Sequence, residues 1–186
     1  MSRKALLFTV ITLVSLVSDQ LSKWWVKENI HKSIERVDVI DGFFQLVHVE
    51  NTGAAFGLLG DWPYAMYVFA VFTLVAIGVL ISLYWEIPPE GRFMPAALAF
   101  ILSGALGNAI DRVHKQAVTD FLRVYTDHPS VRTWLLENFG TAEYPSFNIA
   151  DVSISIGVVM FIYAELFMRK KAAPEEPSEL ADEGAV

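Results

Sequence analysis

Asp120 and Asp151 are the residues of this chain best suited to acid–base chemistry. Asp120 stands between Thr119 and the apolar pair Phe121-Leu122, and Asp151 opens a long apolar run. The positive end of a helix starting at Asp151 suits a carboxylate. The greasier setting of Asp120 suits a carboxyl group that keeps its proton. Two such groups brought together do not both ionise cheaply, so they tend to share one proton. One then deprotonates a water while the other donates to the carbonyl oxygen under attack. That is amide hydrolysis without a covalent intermediate. Spacing alone leaves a plainer reading equally open, in which Asp151 caps a helix and Asp120 pairs with Arg112 or Arg123.

Further polar clusters accompany these two. Asp19 and Lys23, four residues apart, share a helical face and are expected to pair as structural supports. Asn51, Asn108 and Asn148 carry amides that either hold a peptide backbone or cap helices and turns. Asp111-Arg112 reads equally well as an interfacial anchor. Gly104 and Gly107 permit close approach of a helix or a lipid chain, and packing alone accounts for them.

Four long apolar runs must position these groups. They predict membrane-spanning helices over about 5–21, 64–85, 93–110 and 151–168. The first run follows Arg3-Lys4 and also fits a secretory signal peptide. No small-x-small cleavage site follows it, and the helical pattern continues through Asp19-Gln20-Leu21-Ser22-Lys23-Trp24-Trp25, which favours a retained helix. Pro63 suits the first turn of the second span. The flanks Arg3-Lys4 and Arg169-Lys170-Lys171 place both termini in the cytoplasm. The long outer loops hold more basic residues in total, but long loops obey the charge rule poorly. With this topology every polar cluster falls at the outer membrane–water boundary. Several charges gathered at one depth near hydrocarbon suggest a working site.

Two extracytoplasmic segments remain. Residues 37–49 are rich in β-branched and aromatic side chains and predict one or two strands around a turn at Asp41-Gly42. Residues 131–139 predict a short amphipathic helix. Residues 1–171 form one membrane-embedded domain, and 172–186 an acidic, disordered cytoplasmic tail.

Composition sets the outer limits. Hydrophobic residues make up 54% of the 186, and the mean hydropathy is +0.41, which suits a compact membrane bundle better than a soluble domain. The net charge of -7 comes largely from Glu175, Glu176, Glu179, Asp182 and Glu183 in the tail. No basic stripe exists for a nucleic-acid partner. Cysteine is absent, which removes disulfides and thiolate chemistry. The four histidines show no ligand spacing, so no metal or other cofactor is expected. A proton-coupled transporter would place its carboxylates near mid-membrane and show repeats. A non-catalytic assembly factor would use the same charges to bind partners.

Taken together, the clusters resemble the lipoprotein signal peptidases, the type II signal peptidases of bacteria. The matching residues are Asp19-Gln20-Leu21-Ser22-Lys23, Asn51-Thr52-Gly53-Ala54-Ala55-Phe56, Gly104-Ala105-Leu106-Gly107-Asn108-Ala109-Ile110-Asp111-Arg112, Val118-Thr119-Asp120-Phe121 and Phe147-Asn148-Ile149-Ala150-Asp151. Any one is weak, but five in order at span ends are specific. The resemblance implies a four-helix membrane protein with a small extracytoplasmic β-cradle for the substrate and a short amphipathic lid helix. It makes Asp120 and Asp151 an aspartyl-protease dyad, with Asn51, Gly53, Asn108, Arg112, Asn148 and Ala150 as substrate-binding or supporting positions. It implies cleavage of diacylglyceryl-modified prolipoproteins just before the lipidated cysteine; the chain is expected to work as a monomer among membrane phospholipids. Acyl chains would lie in grooves formed with Ala54, Ala55, Gly104 and Gly107. One departure stands out: 125–146 is longer than the family pattern, and either extends the lid or forms a small added element.

Overall fold

The computed structural model describes residues 2–52 and 64–168, less the side chains of 65 and 66. The elements run α1 (Arg3–Asn29), β1 (Arg36–Ile40), β2 (Phe44–Asn51), α2 (Ala65–Glu86), α3 (Phe93–Lys115), β3 (Val118–Val124), α4 (Pro129–Phe139) and α5 (Ile149–Tyr163). A π-helical turn, Ala164–Met168, prolongs α5.

Four helices are long and apolar enough to cross a membrane, in the order the apolar runs predict. Two continue past the predicted ends. α1 reaches Asn29 and α3 reaches Lys115; within these extensions Lys23 and Asp111 are buried against each other, while the final residues Glu28, Asn29, Val113, His114 and Lys115 are exposed. α3 is the central helix. Half of its most apolar stretch is buried, against 6% for α1 and for α2. α2 leans on it through Leu80, Leu98 and Leu102. Residues such as Val71 and Leu74 of α2 are left facing outward, as lipid-facing positions should be.

Small residues set how closely α3 and α5 approach. A Cβ added at Gly157 would meet Ile101 Cγ1 at 2.6 Å and the Ala97 carbonyl oxygen at 2.7 Å. Gly104 abuts the Ala150 carbonyl and Ile154, and a Cβ on Gly107 would stand 2.5 Å from Asp19 Oδ2. Gly104 and Gly107 are therefore used up by protein packing. They do not line an acyl groove, which corrects the groove assignment for these two; Ala54 and Ala55 lie outside the described residues.

The polar end of the bundle carries a three-stranded antiparallel sheet ordered β1-β2-β3. The hairpin β1-β2 turns at Asp41-Gly42, where Gly42 has a φ of +73, a conformation that favours glycine. β3 follows α3 after only Gln116 and Ala117. Residues 142–147 return along its free edge, with Phe147 N–H donating to Leu122 O at 3.0 Å and Tyr144 N–H to Val124 O at 2.9 Å. Val26 and Ile30 of α1 seal the sheet to the bundle by packing with Phe121, Leu46 and Ile149. α4 stands at the sheet's tip, where Asp127 N–H donates to Gly42 O at 3.2 Å. The tip is four strand residues from Asp120, about 13 Å.

Candidate active site

Asp151 occupies the third position of α5. Asn148 is the N-cap, and the two form a reciprocal capping box. The Asp151 N–H donates to Asn148 Oδ1 at 3.0 Å, and the Asn148 N–H donates to Asp151 Oδ2 at 3.1 Å. The capping reading of Asp151 is thus correct, but it uses only one carboxylate oxygen. The other, Oδ1, accepts from Asn108 Nδ2 at 2.8 Å.

Asp120 arrives on β3. Its burial comes from the strand: Val118, Thr119, Asp120 and Phe121 are all buried in succession. The antiparallel register sets Val49 opposite Asp120, and Asn51, at the end of β2, donates from Nδ2 to Asp120 Oδ2 at 3.1 Å. Asn148 Nδ2 donates to Asp120 Oδ1 at 2.8 Å. One asparagine therefore bonds both aspartates, with its side-chain amide on Asp120 and its main chain on Asp151. Asp120 makes no ion pair with Arg112 or Arg123. Arg123 pairs with Glu143, and the Arg112 guanidinium sits 4.6 Å from the centroid of the Phe69 ring, within electrostatic range of Asp151 and Asp120.

Burial pushes the Asp120 carboxyl up from the usual carboxylate range to about 6. The Asn51 donor opposes this, the Asp151 charge adds to it, and the Asn148 donor and the Lys23 charge oppose it further.

Behind this layer lies a buried charged support. Lys23, 1% exposed, pairs with Asp19 at 2.9 Å and Asp111 at 3.1 Å and donates to Asn108 Oδ1 at 3.0 Å. Asp19 Oδ1 accepts the Ala150 N–H at 2.9 Å, which holds the first turn of α5 to α1. A buried lysine with two carboxylates and an amide has every proton directed, which a buried charge requires.

Of the sequence-derived positions, Asn51, Asn108, Asn148, Asp120 and Asp151 meet in one network. Asp19, Lys23 and Ala150 stand directly behind it, and Arg112 lies beside it. Gly53 lies outside the described residues. Two features escaped the sequence reading. The first is β3 itself, whose short run carries no alternation. The second is Asp111, read as an interfacial anchor, which instead bonds Lys23 and accepts the Thr119 N–H at 3.2 Å, fixing the start of the strand that bears Asp120. Its signal was available: Gly104, Gly107, Asn108 and Asp111 form one stripe at helical spacing.

Four apolar helices with two aspartates joined at one end define a membrane-embedded, multi-pass protein with an acid pair at its mouth. Residues 11–167 match the profile of the family described as signal peptidase (SPase) II, and the chain belongs to that family, whose members are aspartic-type proteases of lipoprotein processing. It is 34% identical over 168 residues to a lipoprotein signal peptidase of Geobacter sulfurreducens, covering 90% of this chain and 96% of the relative. It is 38% identical over 161 residues to one of Maridesulfovibrio salexigens, covering 86% of this chain and 94% of the relative. A solved structure described as a bacterial membrane enzyme, at 2.3 Å, superposes with a TM-score of 0.72 at 28% identity. It covers 91% of this chain and 93% of the other.

Proposed function

We propose that this chain removes the signal peptide from diacylglyceryl-modified bacterial prolipoproteins, cutting before the lipidated cysteine with Asp120 and Asp151 as the acid–base pair. The observation that carries the reading is Asn148, which bonds Asp120 through its side chain and Asp151 through its main chain. The shared asparagine ties the two carboxyl groups into one hydrogen-bonded network, as a pair acting on one water requires. In the proposed reaction, Asp120 carries the shared proton, in keeping with its pKa of about 6. Asp151 takes a proton from water as the water adds to the scissile carbonyl, and Asp120 donates to the carbonyl oxygen. In the collapse of the gem-diol, Asp151 gives its proton to the amide nitrogen, a hydroxyl of the diol returns a proton to Asp120, the C–N bond breaks, and acid and amine leave with the pair restored. Asn51 and Asn108, each bonded to one aspartate, orient the pair. Arg112 supplies positive charge nearby, and the sheet cradles the peptide. In this reading the basic flanks Arg3-Lys4 and Arg169-Lys170-Lys171 set both termini in the cytoplasm, and the acid pair faces the outer side, at the depth where a lipid-anchored substrate presents its scissile bond.

Asp120→Asn and Asp151→Asn test this directly. Each variant is expected to insert and fold, yet to process a diacylglyceryl-modified prolipoprotein about 10²–10⁴-fold more slowly. Near-native cleavage by either variant sinks the assignment.

A further inference from the structure

α4 buries none of its residues. Val131, Trp134 and Phe139 are 46%, 55% and 67% exposed, the same degree as Leu13 (54%) and Val71 (59%) on the membrane helices. Those helices meet lipid; nothing in the described fold covers α4. Its apolar residues are also ordered. Val131, Trp134, Leu135 and Phe139 follow i, i+3, i+4, i+8 spacing and share one face, interrupted by Asn138, whose amide is turned back onto the Trp134 carbonyl at 2.8 Å; Leu136 lies at the flank, and Ser130, Thr133 and Glu137 lie opposite. Trp134 and Phe139 stack edge to face, with centroids 5.6 Å apart.

The apolar face does not close onto the sheet. Between them lies a groove of about 650 Å³, lined by Phe43, Val124, Val131, Leu135, Phe139 and Pro145 among others. The apolar surface continues past α4, because Phe43, Tyr144 and Ile40 at the same tip are also exposed. The tip is tethered at both ends to the mouth of the bundle. β3 leaves α3 after two residues, and residues 142–147 lead back to α5 through Asn148. Seven strand residues reach about 23 Å, so α4 cannot move far from the leaflet surrounding the span ends. Tethering converts its docking there into an intramolecular event with a high effective concentration of lipid.

We propose that α4 is an in-plane membrane anchor, with its Val131/Trp134/Leu135/Phe139 face and the adjoining groove occupied by the bilayer leaflet on the sheet's side of the membrane. Amphipathic helices with aromatic and aliphatic side chains on one face and polar ones on the other settle at this boundary, their apolar face about 5–10 Å into it. The anchor holds the sheet tip down against the lipid surface. The inference rests on the membrane embedding of the chain and not on the proposed acid pair.

The absence of cysteine makes the test clean. Single-cysteine variants Leu135→Cys and Phe139→Cys, with Thr133→Cys and Glu137→Cys as opposite-face controls, are labelled with an environment-sensitive fluorophore. The full-length protein is then reconstituted into phosphatidylcholine vesicles containing spin-labelled lipid, using preparations whose Tm matches the parent. Labels at 135 and 139 are expected to be quenched several-fold more strongly than those at 133 and 137, with blue-shifted emission. Equal quenching on both faces overturns the proposal. So does a blue shift at 135 and 139 without lipid quenching, which would mean that another part of the chain covers the face. Because the readout is fluorescence, inactive Asp120→Asn protein gives the same answer, and failure of one proposal leaves the other standing.

Discussion

Asn148 does two unrelated tasks with one side chain. As an N-cap it satisfies an orphan N–H of α5, and as a hydrogen-bond donor it fixes Asp120. Any short polar residue could do the first task, but a hydroxyl has one proton to give, whereas Asn148 Nδ2 donates to both Asp120 Oδ1 and Asn108 Oδ1 while its oxygen caps the helix. The titration of Asp120 follows from its neighbours. Its folded pKa, about 6, lies above the unfolded value of about 3.9. Its contribution to stability is therefore complete below the unfolded value and lost as pH rises through about 6. The same deprotonation removes the proton needed by the pair, so kcat/KM falls as pH rises through that region. Asn51 opposes the upward shift. Asn51→Ala should therefore move the alkaline limb of the kcat/KM profile to higher pH, along with lowering activity overall. A limb that stays put or moves down would show that Asp120 is not the group being titrated.

The helix pair α3–α5 carries Asn108 and Asp151 of the site, and its separation is set by glycines. Gly157→Val would force a side chain into Ile101 and the Ala97 carbonyl, at 2.6 and 2.7 Å for the Cβ alone. Overpacking of this kind costs about 1–3 kcal/mol. The helices must part, which carries Asp151 away from Asn108. Lower Tm together with a lower kcat is the expected result, measured in detergent or lipid; Gly157→Ala should show the same changes in smaller measure. A drop in Tm with kcat untouched would mean that α5 tilts about its first turn and leaves the site intact. α1 is held differently, by polar clasps at three depths. Lys4 Nζ donates to the carbonyl oxygens of Tyr84 and Ile87 at 2.5 and 2.6 Å, Ser15 and Ser153 share a hydrogen bond at 2.7 Å, and Asp19 and Lys23 hold the far end. Arg3-Lys4, read from sequence as a plain basic flank, therefore spends its lysine on capping α2.

Taken whole, the molecule has two unlike ends. One is closed by the Lys4 clasp; the other opens into the acid pair and the sheet. The proposed orientation sets the first in the cytoplasm and the second outside. Ser2→Cys and Thr141→Cys, introduced singly, report on it in intact cells. A membrane-impermeant maleimide should label the cysteine at 141 and spare the one at 2. The reverse pattern would put the acid pair in the cytoplasm, out of reach of an exported substrate.

The four spans, the hairpin at Asp41-Gly42 and the short helix near 131–139 were legible in the chain itself. Long apolar runs, turn residues and amphipathic spacing are local signals, and each states its own structure. The polar motifs also marked which residues matter. Their partners were another matter. β3 lacks any periodic signature, because all four of its first residues are buried by α1, α3 and the sheet together. Asp111 looked like a surface anchor until Lys23, 88 positions earlier, met it across the bundle. Whether Asp151 was merely a cap depended on Asn108, 43 residues away. Gly104 and Gly107 suit packing or lipid equally in the sequence, and only the crossings of α3 with α5 and α1 decide between them. A carboxylate's proton affinity and bonding depend on what lies within a few ångströms of it, and for residues 131 apart in sequence that proximity is created only by folding.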